Sequence, residues 1–153
     1  MSIVYKPLRA GIWKGNPIMT DMRILDAEYV YGGMSGRFFT ISSGQATICT
    51  DTSQTIAGWL ESETIAATSG HFRPAVLYDA TVQFVLPCYT GTAYTAALVG
   101  TNCDLVVSSN IQYADLGTST HDLLIIVDGY AGDAAADSYV VVQMNANEFY
   151  VNT

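Results

Sequence analysis

The sequence is short of the residues that most enzymes rely on. Only two histidines, His71 and His121, stand in 153 residues, so acid–base catalysis by imidazole has two carriers at most. Both lie beside polar turn residues, in SGHFRP and TSTHDL, where a surface or capping role is the ordinary one. Neither GxSxG nor HExxH occurs, which removes the local signatures of a nucleophile-elbow hydrolase and of a zinc peptidase. Neither GxxxxGK[ST] nor GxGxxG occurs, so no backbone cradle for nucleotide phosphates is expected. The glycines of YGGMSGRF separate two strand-like runs and read as a hairpin connection.

Other absences narrow the class further. The three cysteines, Cys49, Cys88 and Cys103, are odd in number, far apart and in no CxxC spacing, which argues against a disulfide framework and against a zinc site. Reduced thiols made in a cytosol are expected. No apolar run approaches the roughly 18 residues of a membrane span; the longest are of the size of LLIIV at 123–127. Behind the N-terminal charges, Pro7, Arg9, Lys14, Gly15, Asn16 and Pro17 interrupt the apolar stretch that a signal peptide needs. Charge itself is scarce, with 13% Asp, Glu, Lys and Arg against about 25% in an average soluble domain. In its place stand 27 serines and threonines and ten tyrosines. Such a surface suits contact with neighbours, because burying a hydroxyl costs less than burying a charge.

The charge that is present is unevenly placed. Residues 1–20 carry +3 from Lys6, Arg9 and Lys14 with no acid, while residues 21–153 carry −11. A body that acidic repels phosphate backbones, so nucleic acid is not an expected partner. Residues 1–22 hold Pro7, Pro17, Gly11 and Gly15 and no sustained period, and are expected to form an extended basic arm on a single domain over 23–153. Trp13 lies in a stretch too short for a core of its own. Arg9, Trp13 and Lys14 together make a docking peg, with an aromatic for burial and charges for orientation. An arm folded back onto its own acidic body accounts for the same residues equally well.

From residue 23 onward, short apolar runs alternate with turn chemistry: RILDAEYVY, RFFTI, QATIC, QTIAGWLES, HFRPAVLYD, TVQFVLPCY, TAYTAALVG, DLVVSSNIQY, HDLLIIVDGY, DSYVVVQMN and EFYVNT. This spacing predicts an all-β fold, an antiparallel β-barrel or β-sandwich. In TVQFVLPCY the period of two puts Val82, Phe84, Leu86 and Cys88 on one face, and Pro87 marks an edge or the strand's end. LLIIVD and YVVVQM lack clean alternation and are expected to be central, covered on both sides. Helical signals are weak, a turn or two at most in TSGHF and TAYTAAL.

Candidate sites follow from the acids. Asp128, Asp133 and Asp137 share the loop DGYAGDAAAD and offer oxygen ligands for Ca²⁺, without the alternating spacing or distal Glu of an EF-hand. A hydrophilic hairpin loop explains them with no ion, and neither a metal nor a cofactor is assigned. Asp115 and Asp122, flanking the turn-like GTST, do not strengthen the metal reading. Glu61 with Glu63, or Asp128 with Asp133, are carboxylate pairs of the kind that glycoside hydrolysis uses. Trp59, among small and polar neighbours, is expected in the core rather than at an interface.

Over residues 20–153 the phrases QTIAGWLES, FVLPCYTGTAYTAALVG and DLLIIVDGYAGD stand in a small, acidic, lysine-poor all-β domain rich in Ser, Thr, Gly and Ala. In this the chain resembles the capsid decoration, or cement, proteins of tailed bacteriophages. The resemblance implies a non-enzymatic virion component, made in the host cytoplasm and bound in many copies to the outer surface of the capsid. Its partner would be the major capsid protein, its own state a homo-oligomer with a trimer favoured. Arms of that group contact the shell, which matches the role given to Arg9, Trp13 and Lys14. Many repeated contacts to the intact shell would stabilise it by linkage. Two alternatives stand beside this: a carbohydrate-binding or adhesive β-domain whose exposed Tyr and Trp stack on sugar rings, with Ca²⁺ in the 128–137 loop, and a small hydrolase using a carboxylate pair.

Overall fold

A computed structural model describes residues 11–24, 37–61, 72–89, 91–108, 111–131 and 138–151. These residues form strands β1 Gly11–Lys14, β2 Met19–Arg23, β3 Arg37–Ser42, β4 Gln45–Ile48, β5 Gly58–Leu60, β6 Phe72–Leu77, β7 Gln83–Pro87, β8 Asn102–Ser108, β9 Ile111–Asp115, β10 Leu124–Tyr130 and β11 Tyr139–Met144. Among the described residues the only helical turns are single 3-10 turns at Ala96–Leu98 and Ala146–Glu148. The fold is therefore all-β, as the alternation and turn spacing predict. Two antiparallel sheets form it, one ordered β1-β7-β11-β10-β8-β9 and the other β2-β6-β5-β3-β4.

Alternation assigns each strand face to its own core. In β3, Phe38 joins the large cluster between the sheets, while Phe39 joins a second cluster with Ile24, Ala46, Ala57, Leu60 and Ala75. The same split separates Trp59 from Leu60 and Val76 from Ala75. The five-stranded sheet curls around that second cluster, and a parallel bridge from Ile24 to Ala46 joins the end of β2 to β4. The large cluster takes Val82, Phe84, Leu86 and Cys88 from one face of β7, as period two requires. Phe38, Trp59 and Phe84 form its aromatic centre, with ring centroids 4.8 to 5.0 Å apart.

Pro87 ends β7, opposite Tyr139 of β11. β10 and β11 are central in the six-stranded sheet. Val140, Val141 and Val142 are buried in succession, whereas β10 alternates between buried Leu124 and Ile126 and half-buried Ile125 and Val127. Two of the strand-like runs form no strand, the first in keeping with the turn that its weak helical signal allows. TAYTAALVG supplies the 3-10 turn at Ala96–Leu98, and the start of EFYVNT lies in the turn at Ala146–Glu148 and an isolated bridge from Phe149 to Ile56. Asn145 caps that turn by accepting from the Asn147 N–H, which diverts the chain from a ladder.

The segment read as an arm over 1–22 is partly sheet. β1 pairs with β7 and β2 with β6, each at the border of its own sheet. The chain passes between the sheets in four residues, 15–18. Gly15 makes the corner with φ of +119°, where a Cβ would lie 3.2 Å from the Val82 Cα. Residues 1–10, Arg9 among them, lie outside the described residues, as do most of RILDAEYVY, His71, Glu63, Asp133 and Asp137.

None of the three cysteines is in a disulfide, and all are buried, Cys103 included. Burial pushes the Cys49 thiol up to about 12, and it pushes Cys103 up as well, with the charge of Asp104 adding to the effect. A thiolate is the reactive form. Native protein is therefore expected to resist a thiol-titrating disulfide reagent at mildly alkaline pH and to give all three thiols on unfolding in guanidinium. One rapid equivalent from the native state would contradict this burial.

Candidate functional site

Among the described residues, three places carry chemistry-bearing side chains at the surface, and geometry separates them. The first is an open polar cleft of about 400 Å³ lined by Gln54, Thr120, His121, Asp122 and Glu148. Its floor is organised by Asp104, buried on β8. The Asp104 carboxylate accepts backbone N–H bonds from Thr120 at 3.0 Å, His121 at 2.9 Å and Asp122 at 2.8 Å. These bonds to a charged acceptor hold the turn tightly and accommodate Asp122 at φ of +56°. They also use up the N–H groups that an oxyanion would need, since all three point inward at a carboxylate. His121 thus has Asp122 and Glu148 as acidic neighbours in the cleft, while the thiols belong to the core.

The second place is the set of carboxylates considered for metal or glycoside chemistry. Asp128 is exposed on β10 and its Oδ1 accepts the Gly129 N–H; Asp133 and Asp137 are outside the described residues. Asp115 accepts from Gly117, closing a turn. Among the described residues no group of three His, Cys, Asp or Glu side chains is arranged to hold a metal ion. Glu61 accepts the Trp59 indole N–H at 2.5 Å. Burial moves its carboxyl above the ordinary glutamate range, and the indole bond opposes that. Its sequence partner Glu63 lies outside the described residues. Trp59 itself is fully buried, in the core as expected.

The third place is the outer face of the six-stranded sheet near its β1 border. Ile12 pairs with Phe84, but the next ladder pair is Lys14 with Gln83, so a bulge sits at Trp13. A bulge spends an extra residue on one strand and re-aims its side chains. Ile12 packs on the large core cluster, and the extra residue leaves both Trp13 and Lys14 exposed. The Trp13 ring lies 6.5 Å from Tyr139, which lies 5.6 Å from Tyr130 on β10. Tyr139 alternates with core-facing Val140 and is thereby on the outer face. A second bulge between Ile126 and Asp128 places Asp128 opposite Val141 on that same face. The result is a band of three aromatic rings with Lys14 near one end and Asp128 near the other.

Of the expected docking residues, the structure therefore brings Trp13 and Lys14 together at an exposed border, with Trp13 47% exposed. Tyr139 and Tyr130 extend the site and were not singled out from sequence. The signal for Tyr139 was its opposite parity to Val140 and Val142 in YVVVQM, and for Tyr130 a pairing partner that sequence does not name. Asp104 and Gln112, two buried polar residues inside strand-like runs, had no local signal either. No helix among the described residues is long and apolar enough to cross a membrane. Comparison of the chain with protein-family models, curated proteins and solved structures finds no match.

Proposed function

We propose that this protein is a structural component of a large assembly, of the capsid-decoration kind, which docks on the major shell protein through its N-terminal border and stabilises the shell without chemistry of its own. The observation that carries this reading is the β1 bulge, which turns Trp13 and Lys14 outward side by side where the basic N-terminal segment joins the acidic body. An exposed Trp beside a cation is a common anchor at protein interfaces. The low charge of the chain and its hydroxyl-rich surface suit repeated lattice contacts. Arg9, just upstream, would extend the same contact.

The test is co-sedimentation with assembled particles from the native source, read as copies bound per shell subunit. Wild type is expected at a fixed, high ratio. Trp13→Ala is expected to lower the affinity by tenfold or more, corresponding to loss of about 1.4 kcal/mol or more, and Lys14→Glu to weaken it in a salt-dependent way. Unchanged binding by both variants would remove this docking site. The aromatic band favours one second reading, a carbohydrate-binding domain, since tilted rings beside Asp128 offer stacking and hydrogen bonding to sugars. Binding of oligosaccharide that is lost in Trp13→Ala, with no particle binding in wild type, would put that reading first.

A further inference from the structure

The chain contains one Asp–Gly step, Asp128–Gly129, and no Asn–Gly step. Such steps ordinarily make turns, yet this one lies inside β10. Packing requires the glycine: a Cβ at Gly129 would lie 2.6 Å from the Tyr94 ring and 2.8 Å from the Tyr139 carbonyl oxygen. Asp128 follows the bulge that starts at Ile126, and it is exposed. Two bonds orient its carboxylate. Oδ1 accepts the Gly129 N–H at 2.8 Å, and the Tyr94 hydroxyl donates to the same group. The first of these sets the Gly129 nitrogen beside the Asp128 carboxyl carbon, the two atoms that a five-membered imide would join, and such positioning lowers the barrier to their reaction.

The backbone at this step is held on one side more than on the other. β11 pairs with β10 as far as Tyr130, but among the described residues β8 pairs with it only at Leu124 and Ile125. Closing an imide swings the Asp128–Gly129 peptide out of the ladder. A segment with one strand neighbour yields to that more readily than one with two, and glycine puts no side chain in the way.

We infer that Asp128–Gly129 is a site of self-modification, where the Asp128 carboxyl cyclises onto the Gly129 nitrogen and the ring reopens in part as isoaspartate. In the first step the Gly129 nitrogen bonds to Cγ of the protonated carboxyl and loses its proton. One carboxyl oxygen leaves as water, carrying that proton and the carboxyl's own. In the second step water adds to one of the two imide carbonyls, and the ring nitrogen takes a proton as its bond to that carbon breaks. Opening at Cγ restores aspartate. Opening at the main-chain carbonyl leaves the chain running through the side-chain carbons, one backbone atom longer. The pairs Gly129–Val140 and Tyr130–Tyr139 then lose register, and Tyr130 leaves the aromatic band. Water is the only co-reactant, so the change accumulates with the age of the molecule. This inference does not rest on shell docking, which uses Trp13 and Lys14.

Incubation of the purified full chain in warm, mildly acidic heavy-oxygen water tests it, followed by peptide mapping with electron-transfer fragmentation, which distinguishes isoaspartate from aspartate. Wild type is expected to take up heavy oxygen at residue 128 and to accumulate isoaspartate there ahead of every other aspartate. Asp128→Asn is expected to convert faster, with ammonia as the leaving group, and Asp128→Ser to lose both signals. Circular dichroism during the incubation reports whether the chain is folded as it reacts. Isoaspartate that forms only once the chain has unfolded, or a folded Asp128→Asn variant that keeps its amide, would overturn the inference, because either result shows that β10 holds this peptide away from the ring. These readouts are made on the free chain, so they stand or fall separately from particle binding.

Discussion

Gln112→Leu is expected to destabilise the protein by about 2–5 kcal/mol, from the cost of leaving two buried backbone groups without these partners. Gln112 is fully buried on β9, in the six-stranded sheet, and its amide reaches across the sandwich to the other sheet. Its Oε1 accepts the Phe38 N–H at 2.9 Å, and its Nε2 donates to the carbonyls of Phe38 and Cys49, both at 3.0 Å. Leucine matches the volume and supplies neither donor nor acceptor. The Phe38 carbonyl keeps the Cys49 N–H as a partner, so the penalty falls on the Phe38 N–H and the Cys49 carbonyl. Urea melts of the two proteins measure the loss. A difference under about 0.5 kcal/mol, the scale of an ordinary surface change, would show that the bridge does not hold the sheets together.

Gln112→Glu adds a pH signature. The new carboxylate would face two carbonyl oxygens, so the native state would favour its protonated form and raise its pKa above the unfolded value. The unfolded chain then holds fewer protons than the native one as pH rises through the gap. Stability should be nearest to wild type at low pH and fall as pH climbs through the native pKa. Stability measured by urea at several pH values reads this directly, and a variant whose deficit is constant with pH would contradict the donor geometry assigned to Nε2.

Gly58→Ala is expected to cost about 3 kcal/mol or more, at the upper end of overpacking effects. β5 is three residues long and lies between β3 and β6. A Cβ at Gly58 would press into the Val76 carbonyl oxygen and lie 2.9 Å from the Phe39 ring. The oxygen is backbone in a paired strand and has no rotamer by which to withdraw. Both partners belong to opposed cores, since Val76 is in the large cluster and Phe39 in the small one. The expected result is a lowered unfolding midpoint or failure to accumulate as soluble protein. A midpoint unchanged from wild type would mean that β5 and β6 can separate at this point with little cost.

Much of the fold was legible in particular stretches. TVQFVLPCY shows its buried face, its half-buried face and its stop because period two and the missing N–H of proline are properties of the residues themselves. LLIIVD and YVVVQM show centrality by their length of apolar character. TAYTAALVG reads both as a strand-like run and as a weak helical signal, and the turn wins: Thr101 Oγ1 and its N–H bond back to the Leu98 carbonyl just after the 3-10 turn. The charge step near residue 20 was visible, yet it coincides with β2 rather than with the edge of an independent arm.

The candidate site was legible only in its residue types. Trp13 and Lys14 are alternate-face neighbours in an unbroken strand, and only the bulge against β7 brings them out together. Bulges depend on a partner strand some seventy residues away, which no local pattern names.

What the sequence by itself determined is therefore the all-β class, the buried face of β7, the central place of β10 and β11 and the unequal division of charge, because each follows from side-chain period, turn chemistry or simple count. Only the tertiary structure decided that Phe38 meets Gln112 across 74 residues, that Asp104 gathers three N–H groups from one turn, and that the basic segment borders both sheets. Those outcomes rest on which strands pair and in which register. That choice minimises the free energy of the whole core and is not encoded in any one stretch.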